Sequence, residues 1–68
     1  MNKSNEKLDI SKLYQKMCDD DNYHIIRALY KEKHLVYIMF IHEDEPSKRH
    51  EFKFDNGEVS SYMAHEGY

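Results

Sequence analysis

The stretch MCDDDNYH (residues 17–24) gathers residue types that could do chemistry: the chain's single cysteine, three consecutive aspartates and a histidine. A catalytic thiol needs a lowered pKa, whereas the negative charges of Asp19, Asp20 and Asp21 would raise the pKa of Cys18. The aspartate run also lacks the alternating carboxylates and the glycine of a calcium-binding loop. We therefore predict an exposed connector without a bound ion, whose acids could meet a basic patch on a partner.

The rest of the chain offers no better catalytic or metal-binding pattern. Its five histidines stand at positions 24, 34, 42, 50 and 65, and none of the spacings CxxC, HxxxH or HExxH occurs. The two glycines form no phosphate-binding loop, and so small a fold rarely encloses a pocket of ordinary ligand size. The sequence therefore predicts a protein that is not an enzyme and has no cofactor, no metal and no small-molecule substrate.

Composition predicts one soluble globular domain near the lower size limit for independent folding. The chain has 68 residues, 40% of them hydrophobic and 34% charged, and its net charge of −3 is too small for an acidic DNA mimic or a basic binder. A lone cysteine excludes an internal disulfide and favours a reducing compartment. The N-terminal lysines precede no apolar segment, and no apolar run approaches the ~20 residues that span a bilayer. We expect a cytoplasmic protein without a membrane partner.

Helical periodicity appears after a polar start. Asp9 is a suitable N-cap, and the aspartates after Cys18 oppose the helix dipole at the C-terminal end. This pattern predicts a helix over residues 9–19, preceded by a flexible tail over 1–8. The apolar stripe of the helix, in which the Cys18 thiol is a small buried hydrophobe, consists of Ile10, Leu13, Tyr14, Met17 and Cys18.

The remaining sequence predicts strands. The segments are rich in Ile, Val, Tyr and Phe, and they are separated by KEKH, by the proline-containing loop EDEPSK (43–48) and by Asn56-Gly57. We predict an α+β fold over 9–64, with one N-terminal amphipathic helix packed on a three- to four-stranded antiparallel β-meander. A short helix is an alternative for the last segment, and 65–68 form a flexible tail. The strands are predicted near 23–31, 35–42, 49–55 and 58–64.

A predicted register divides the strands into two faces. A six-residue loop at 43–48 pairs Met39 with Phe52, and alternation then sorts the side chains. The face predicted to form the core under the helix carries Ile26, Ala28, Tyr30, Leu35, Tyr37, Met39, Ile41, Phe52, Phe54, Val59 and Met63. The face predicted to be open has an apolar centre of Ile25, Leu29, Val36, Ile38 and Phe40 among Tyr23, Arg27, His42, Arg49, Glu51, Lys53 and Tyr62.

An apolar centre with a polar rim is the anatomy of a binding surface. We expect a small non-enzymatic protein-binding module that occupies a protein partner, either a second copy or a foreign target. Short proteins of this composition are common among bacterial and phage accessory proteins, which favours an inhibitor or adaptor. The predicted anchors are Val36, Ile38, Phe40 and Arg27, with Ile25 and Leu29 beside them and Tyr23, His42 and Tyr62 at the rim.

Two alternatives remain open at this stage. The meander could curl and bury part of the apolar patch on itself. The protein could also bind single-stranded RNA or DNA, with bases stacked on the sheet aromatics Tyr23, Phe40 and Tyr62. In that case the phosphates would contact Arg27, Arg49 and Lys53.

Overall fold

The structure is a computed structural model that describes residues 4–66, with side chains from residue 9 onward. One helix precedes four strands, which confirms the predicted α+β class, and residues 58–64 are strand rather than helix. The elements are α1 (Ser4–Asp19), β1 (Tyr23–Lys31), β2 (His34–His42), β3 (Glu45–Asp55) and β4 (Glu58–Glu66).

The strands form one antiparallel meander in the order β1-β2-β3-β4. Two of its hairpins close through two-residue turns in which both residues have positive φ: 52° and 70° at Glu32 and Lys33, and 54° and 83° at Asn56 and Gly57. Such turns match the right-handed twist of paired strands. Asn-Gly adopts this backbone readily, whereas Glu32 and Lys33 adopt it at a steric cost, held by the strands on either side.

Element ends differ from the predicted ones. Helix α1 begins at Ser4 rather than Asp9, and β4 continues to Glu66, so both enter segments predicted to be tails. Residues 1–3 and 67–68 lie outside the described part of the chain. Strand β3 begins at Glu45, so the predicted loop over 43–48 is wrong. Pro46 fits within β3 because β4 pairs only as far as Lys48 among the described residues, and a proline amide is not needed beyond that point.

The core lies between α1 and one face of the sheet. The Tyr14 ring makes edge contacts with Phe40, Phe52 and Phe54 at centroid distances of 5.9, 5.3 and 5.1 Å. Around this aromatic cluster the buried residues are Met17, Ile38, Phe40, Phe52 and Val59. The helix packs principally on β4 and leaves β1 with little cover.

The face assignment is the main correction. Met39 pairs with Glu51, and Phe40 with His50, one residue away from the predicted register. A shift of one residue moves every side chain of a strand to the opposite face. The prediction that Ile38 and Phe40 are uncovered is therefore wrong, since their exposures are 4% and 1%.

The same shift, together with irregularities in the strand pairing, changes the face on which further residues lie. By register, Ile25, Tyr23, His42 and Tyr62 share the helix side with Phe40 and Phe52, and Val36 is the residue of β2 skipped at an irregularity. Tyr37, Met39, Ile41 and Met63, predicted for the core, lie on the other side. Cys18 is exposed, because Met17 takes the core-facing position at this end of the helix. Helix α1 is not long and apolar enough to cross a membrane, and residues 4–66 contain no other helix.

Candidate binding surface

The aspartate connector of the opening stretch is a structured turn. Asp19 ends α1, and the Asp20 carboxylate accepts a hydrogen bond of 2.9 Å from the amide of Asn22. The Tyr23 amide donates to the Asp20 carbonyl at 3.0 Å, which sets the start of β1. Within residues 9–66, no three histidine, cysteine or carboxylate side chains are placed to hold a metal ion. Contact between these acids and a partner stays a prediction.

We use the name uncovered face for the side of the sheet opposite α1. Cross-strand pairs place its side chains in rows, because directly paired residues point to the same side. One row joins Arg27, Met39, Glu51 and Met63, and the next joins Leu29, Tyr37, Lys53 and Ser61. Arg49 pairs with His65 on the same side. The face thus mixes aliphatic and thioether side chains with charges, and Tyr37 is the aromatic residue in these rows.

Glu51 is the centre of a hydrogen-bonded group on the uncovered face. Its carboxylate accepts hydrogen bonds from the His65 ring and from the Tyr37 hydroxyl. The bond from His65 is the main reason that the Glu51 pKa is lowered, and nearby Lys53 acts in the same direction. Burial, reinforced by the bond to Glu51, raises the pKa of Tyr37 to about 12. Two of the roughly four acceptor positions of this carboxylate are therefore used within the protein.

Three cations, Arg27, Arg49 and Lys53, share the uncovered face with Glu51. Arg49 lies with its Nη1 3.7 Å from the Met39 sulfur, and it helps to bury that thioether. The ion pairs His24–Glu43, His42–Asp44 and His65–Glu51 include neither Arg27 nor Lys53. Both side chains are exposed. The uncovered face therefore presents positive charge to solvent.

Strand β1 is the most exposed apolar element. Eight of its nine residues are exposed, and it is an edge strand of the sheet. The large hydrophobic side chains that are exposed among the described residues are Ile25, Ile26, Leu29 and Tyr30 on β1, and Met63 on β4. Ile26 is the extra residue of a bulge, since Ile25 pairs with Phe40 and Arg27 with Met39. Side chains on both sides of β1 thus lack cover.

The helix side carries a cluster of tyrosine and histidine rings at the end of the sheet near the connector. The buried His50 shares a hydrogen bond of 2.8 Å between its Nδ1 and the Tyr62 hydroxyl, and it makes an edge contact with Tyr23. Tyr23 also contacts His42 at 4.8 Å. Burial is the main cause of the lowered His50 pKa and the raised Tyr62 pKa. The residues predicted as a binding rim are therefore packing residues here.

The structure brings together only part of the predicted site. Arg27 and Leu29 share the uncovered face with Arg49 and Lys53, and their role in binding stays a prediction. Ile25 is exposed at the helix side of β1. Sequence reasoning omitted Ile26, Tyr30, Tyr37 and Met63 from the site. For β1 a signal existed, because the first strand of a meander is an edge strand with one unpaired side.

Comparisons with known proteins give no relative for this chain. No protein-family model, curated protein or solved structure matches it. Its function must therefore be argued from the described surface.

Acid is expected to destabilise the protein through His50. The lowered pKa means that the unfolded chain binds more protons between the folded-state pKa and about 6.5. The contribution of His50 to the free energy of unfolding is therefore fully present above this pH range. It is lost as the pH falls through the range, by up to about 1.4 kcal/mol per pH unit. This corresponds to a fall in Tm of up to roughly 6–11 °C per pH unit. His42 and Lys48 oppose protonation, while Glu45 favours it.

Thermal unfolding followed by circular dichroism between pH 7.5 and 5 measures this dependence. We expect His50→Gln to flatten the pH profile of Tm. The control His34→Gln, at an exposed position, should leave the profile unchanged. Equal profiles for the protein and for His50→Gln would show that His50 does not cause the acid sensitivity.

Proposed function

We propose that this protein is a small non-enzymatic binding module that occupies a protein partner through strand β1 and the adjoining part of the uncovered face. The observation that carries this proposal is the exposure of β1. Four of the five exposed large hydrophobic side chains among the described residues belong to this one edge strand. Concentrated apolar exposure marks interaction sites more than isolated apolar residues do.

A protein partner would supply what β1 lacks. An edge strand offers unpaired backbone donors and acceptors, and a partner can satisfy these while it covers the apolar side chains. A domain this small has little stability to spare, and a bound partner would stabilise the folded state by mass action. The proposed role is that of an inhibitor or adaptor in the cytoplasm. Arg27 and Leu29 are its central contacts.

Replacement of β1 side chains tests the proposal. We expect Ile25→Asp/Leu29→Asp to lose the protein that the parent captures from a lysate, because carboxylates would face the buried centre of the interface. The control is Met63→Asp, since Met63 is equally exposed but lies on the opposite edge strand. Capture should survive nuclease treatment. Equal capture by the β1 variant, with the fold verified by circular dichroism, would contradict the proposal.

Binding of single-stranded nucleic acid is a second candidate, favoured by one observation. Arg27, Arg49 and Lys53 share the uncovered face, as phosphate-contacting residues would. The aromatic residues predicted to stack bases, however, lie on the helix side. Fluorescence anisotropy with a labelled oligouridylate would detect this activity as binding that weakens steeply with salt and requires these three cations.

A further inference from the structure

The two sides of β1 would select different side chains in a strand added to its edge. On the helix side stand the exposed Ile25 and Tyr30, and by register Ala28 lies between them. On the uncovered face, Arg27 and Leu29 stand next to the vacant edge. Since neighbours across a ladder share a face, an added strand would place apolar side chains beside Ile25 and Tyr30. Its other side chains would lie beside Arg27.

The charge of the uncovered face indicates which side chains an added strand should place beside Arg27. The charged strand residues that register places on the uncovered face sum to a formal charge of +1, in a chain whose net charge is −3: Arg27, Lys31, Arg49 and Lys53 against Glu51, Asp55 and Glu58. The two on β1, Arg27 and Lys31, are both cations, and the carboxylates lie on β3 and β4, away from the vacant edge. The Glu51 carboxylate already accepts hydrogen bonds from Tyr37 and His65. An acidic side chain of the partner would therefore add a carboxylate where cations predominate, and opposite charges across a ladder are stabilising.

A second copy of the chain fits this edge poorly. Antiparallel pairing of two β1 strands about Arg27 sets the guanidinium groups of both copies against each other, and like charges directly opposite are destabilising. Pairing about Ala28 avoids this contact. It still sets Arg27 of each copy opposite Leu29 of the other, and so diagonal to Arg27 and Lys31 of that copy on the uncovered face, within reach of long side chains. Both registers therefore bring the cations of the two β1 strands together on the uncovered face.

We propose that β1 accepts an added strand from an acidic segment of another protein, whose side chains alternate between carboxylates over the uncovered face and apolar groups beside Ile25 and Tyr30. This inference rests on the proposed binding function and specifies the chemistry of the partner. Main-chain hydrogen bonds would supply affinity, and the alternating side chains would supply specificity.

Three synthetic peptides test this inference: acetyl-EVEVEVE-amide, its neutral counterpart acetyl-TVTVTVT-amide and its basic counterpart acetyl-KVKVKVK-amide. Each is titrated into the 15N-labelled protein while the amide resonances are followed. We expect the acidic peptide to shift amides of β1 and to bind at least about tenfold more tightly than either counterpart. Arg27→Glu should weaken this binding about tenfold or more. Lys12→Glu, an equal charge change on the exposed side of α1, should have little effect.

Other outcomes overturn the inference in distinguishable ways. Equal binding of the acidic and neutral peptides at β1 would reject the acidic partner but leave the proposed binding function intact. Failure of all three peptides to shift β1 would reject strand addition, and the lysate capture would still decide the proposed function. Displacement of the acidic peptide by an oligouridylate that binds more tightly would assign the face to nucleic acid and reject both proposals.

Discussion

Phe40→Ala is expected to unfold most of the protein at 25 °C. Phe40 is 1% exposed and packs against Phe52 and Tyr14, so alanine would leave a cavity within the aromatic core. Truncation of a buried phenylalanine costs about 3–5 kcal/mol. A single core in a chain this short supplies about 3–5 kcal/mol in total. The substitution would therefore remove most of the free energy of unfolding.

Urea denaturation followed by circular dichroism and amide dispersion in an NMR spectrum would measure this loss. Met63→Ala is the control, because Met63 is 60% exposed and its truncation should change the free energy of unfolding by less than about 0.5 kcal/mol. A Phe40→Ala protein with an unchanged urea midpoint would mean that Phe40 is not in the core. The prediction from the sequence that Phe40 lies on an open face would then be correct.

Tyr14→Ala is expected to have the second largest effect. The Tyr14 ring contacts three phenylalanine rings of the sheet, and it is the residue through which α1 engages all of them. Loss of these contacts should lower the free energy of unfolding by about 2–4 kcal/mol. We expect the midpoint of urea unfolding to fall accordingly, with loss of helical signal.

Two further variants separate the causes. Tyr30→Ala removes the same side chain at an exposed position of β1 and should be nearly neutral. Tyr14→Phe retains the ring contacts but removes the hydroxyl, whose pKa of about 12 reflects burial first and then its hydrogen bond with Cys18. Stability close to the parent for Tyr14→Phe would assign the effect to ring packing. A loss as large as that of Tyr14→Ala would assign it to the hydroxyl.

Local signals predicted the elements well. The spacing from Ile10 to Met17 predicted the helix, and Asn56-Gly57 predicted the last hairpin at its observed position. Strand β1 has the predicted bounds of 23–31. These features depend on residues close together in the sequence, and the competing alternatives were few.

Face assignment failed because β2 carries no signal for it. LVYIMFI is apolar at every position, so alternation cannot say whether Phe40 or Met39 points to the helix. The register between β2 and β3 was therefore predicted from the loop containing Pro46, and the length of that loop was overestimated. Arg49 and Lys53 were nonetheless placed on the uncovered face correctly, because RHEFKF alternates clearly in β3 and the charges mark its solvent side.

The order of elements along the chain has a consequence for how the protein reaches its native state. Each strand pairs with its sequence neighbour, and such local contacts favour fast folding. Helix α1 is synthesised before the strands, yet it packs principally on β4, the fourth of them. We therefore expect helix docking to be a late event, and Phe40 and Phe52 to remain uncovered on the nascent chain until the final strand has left the ribosome.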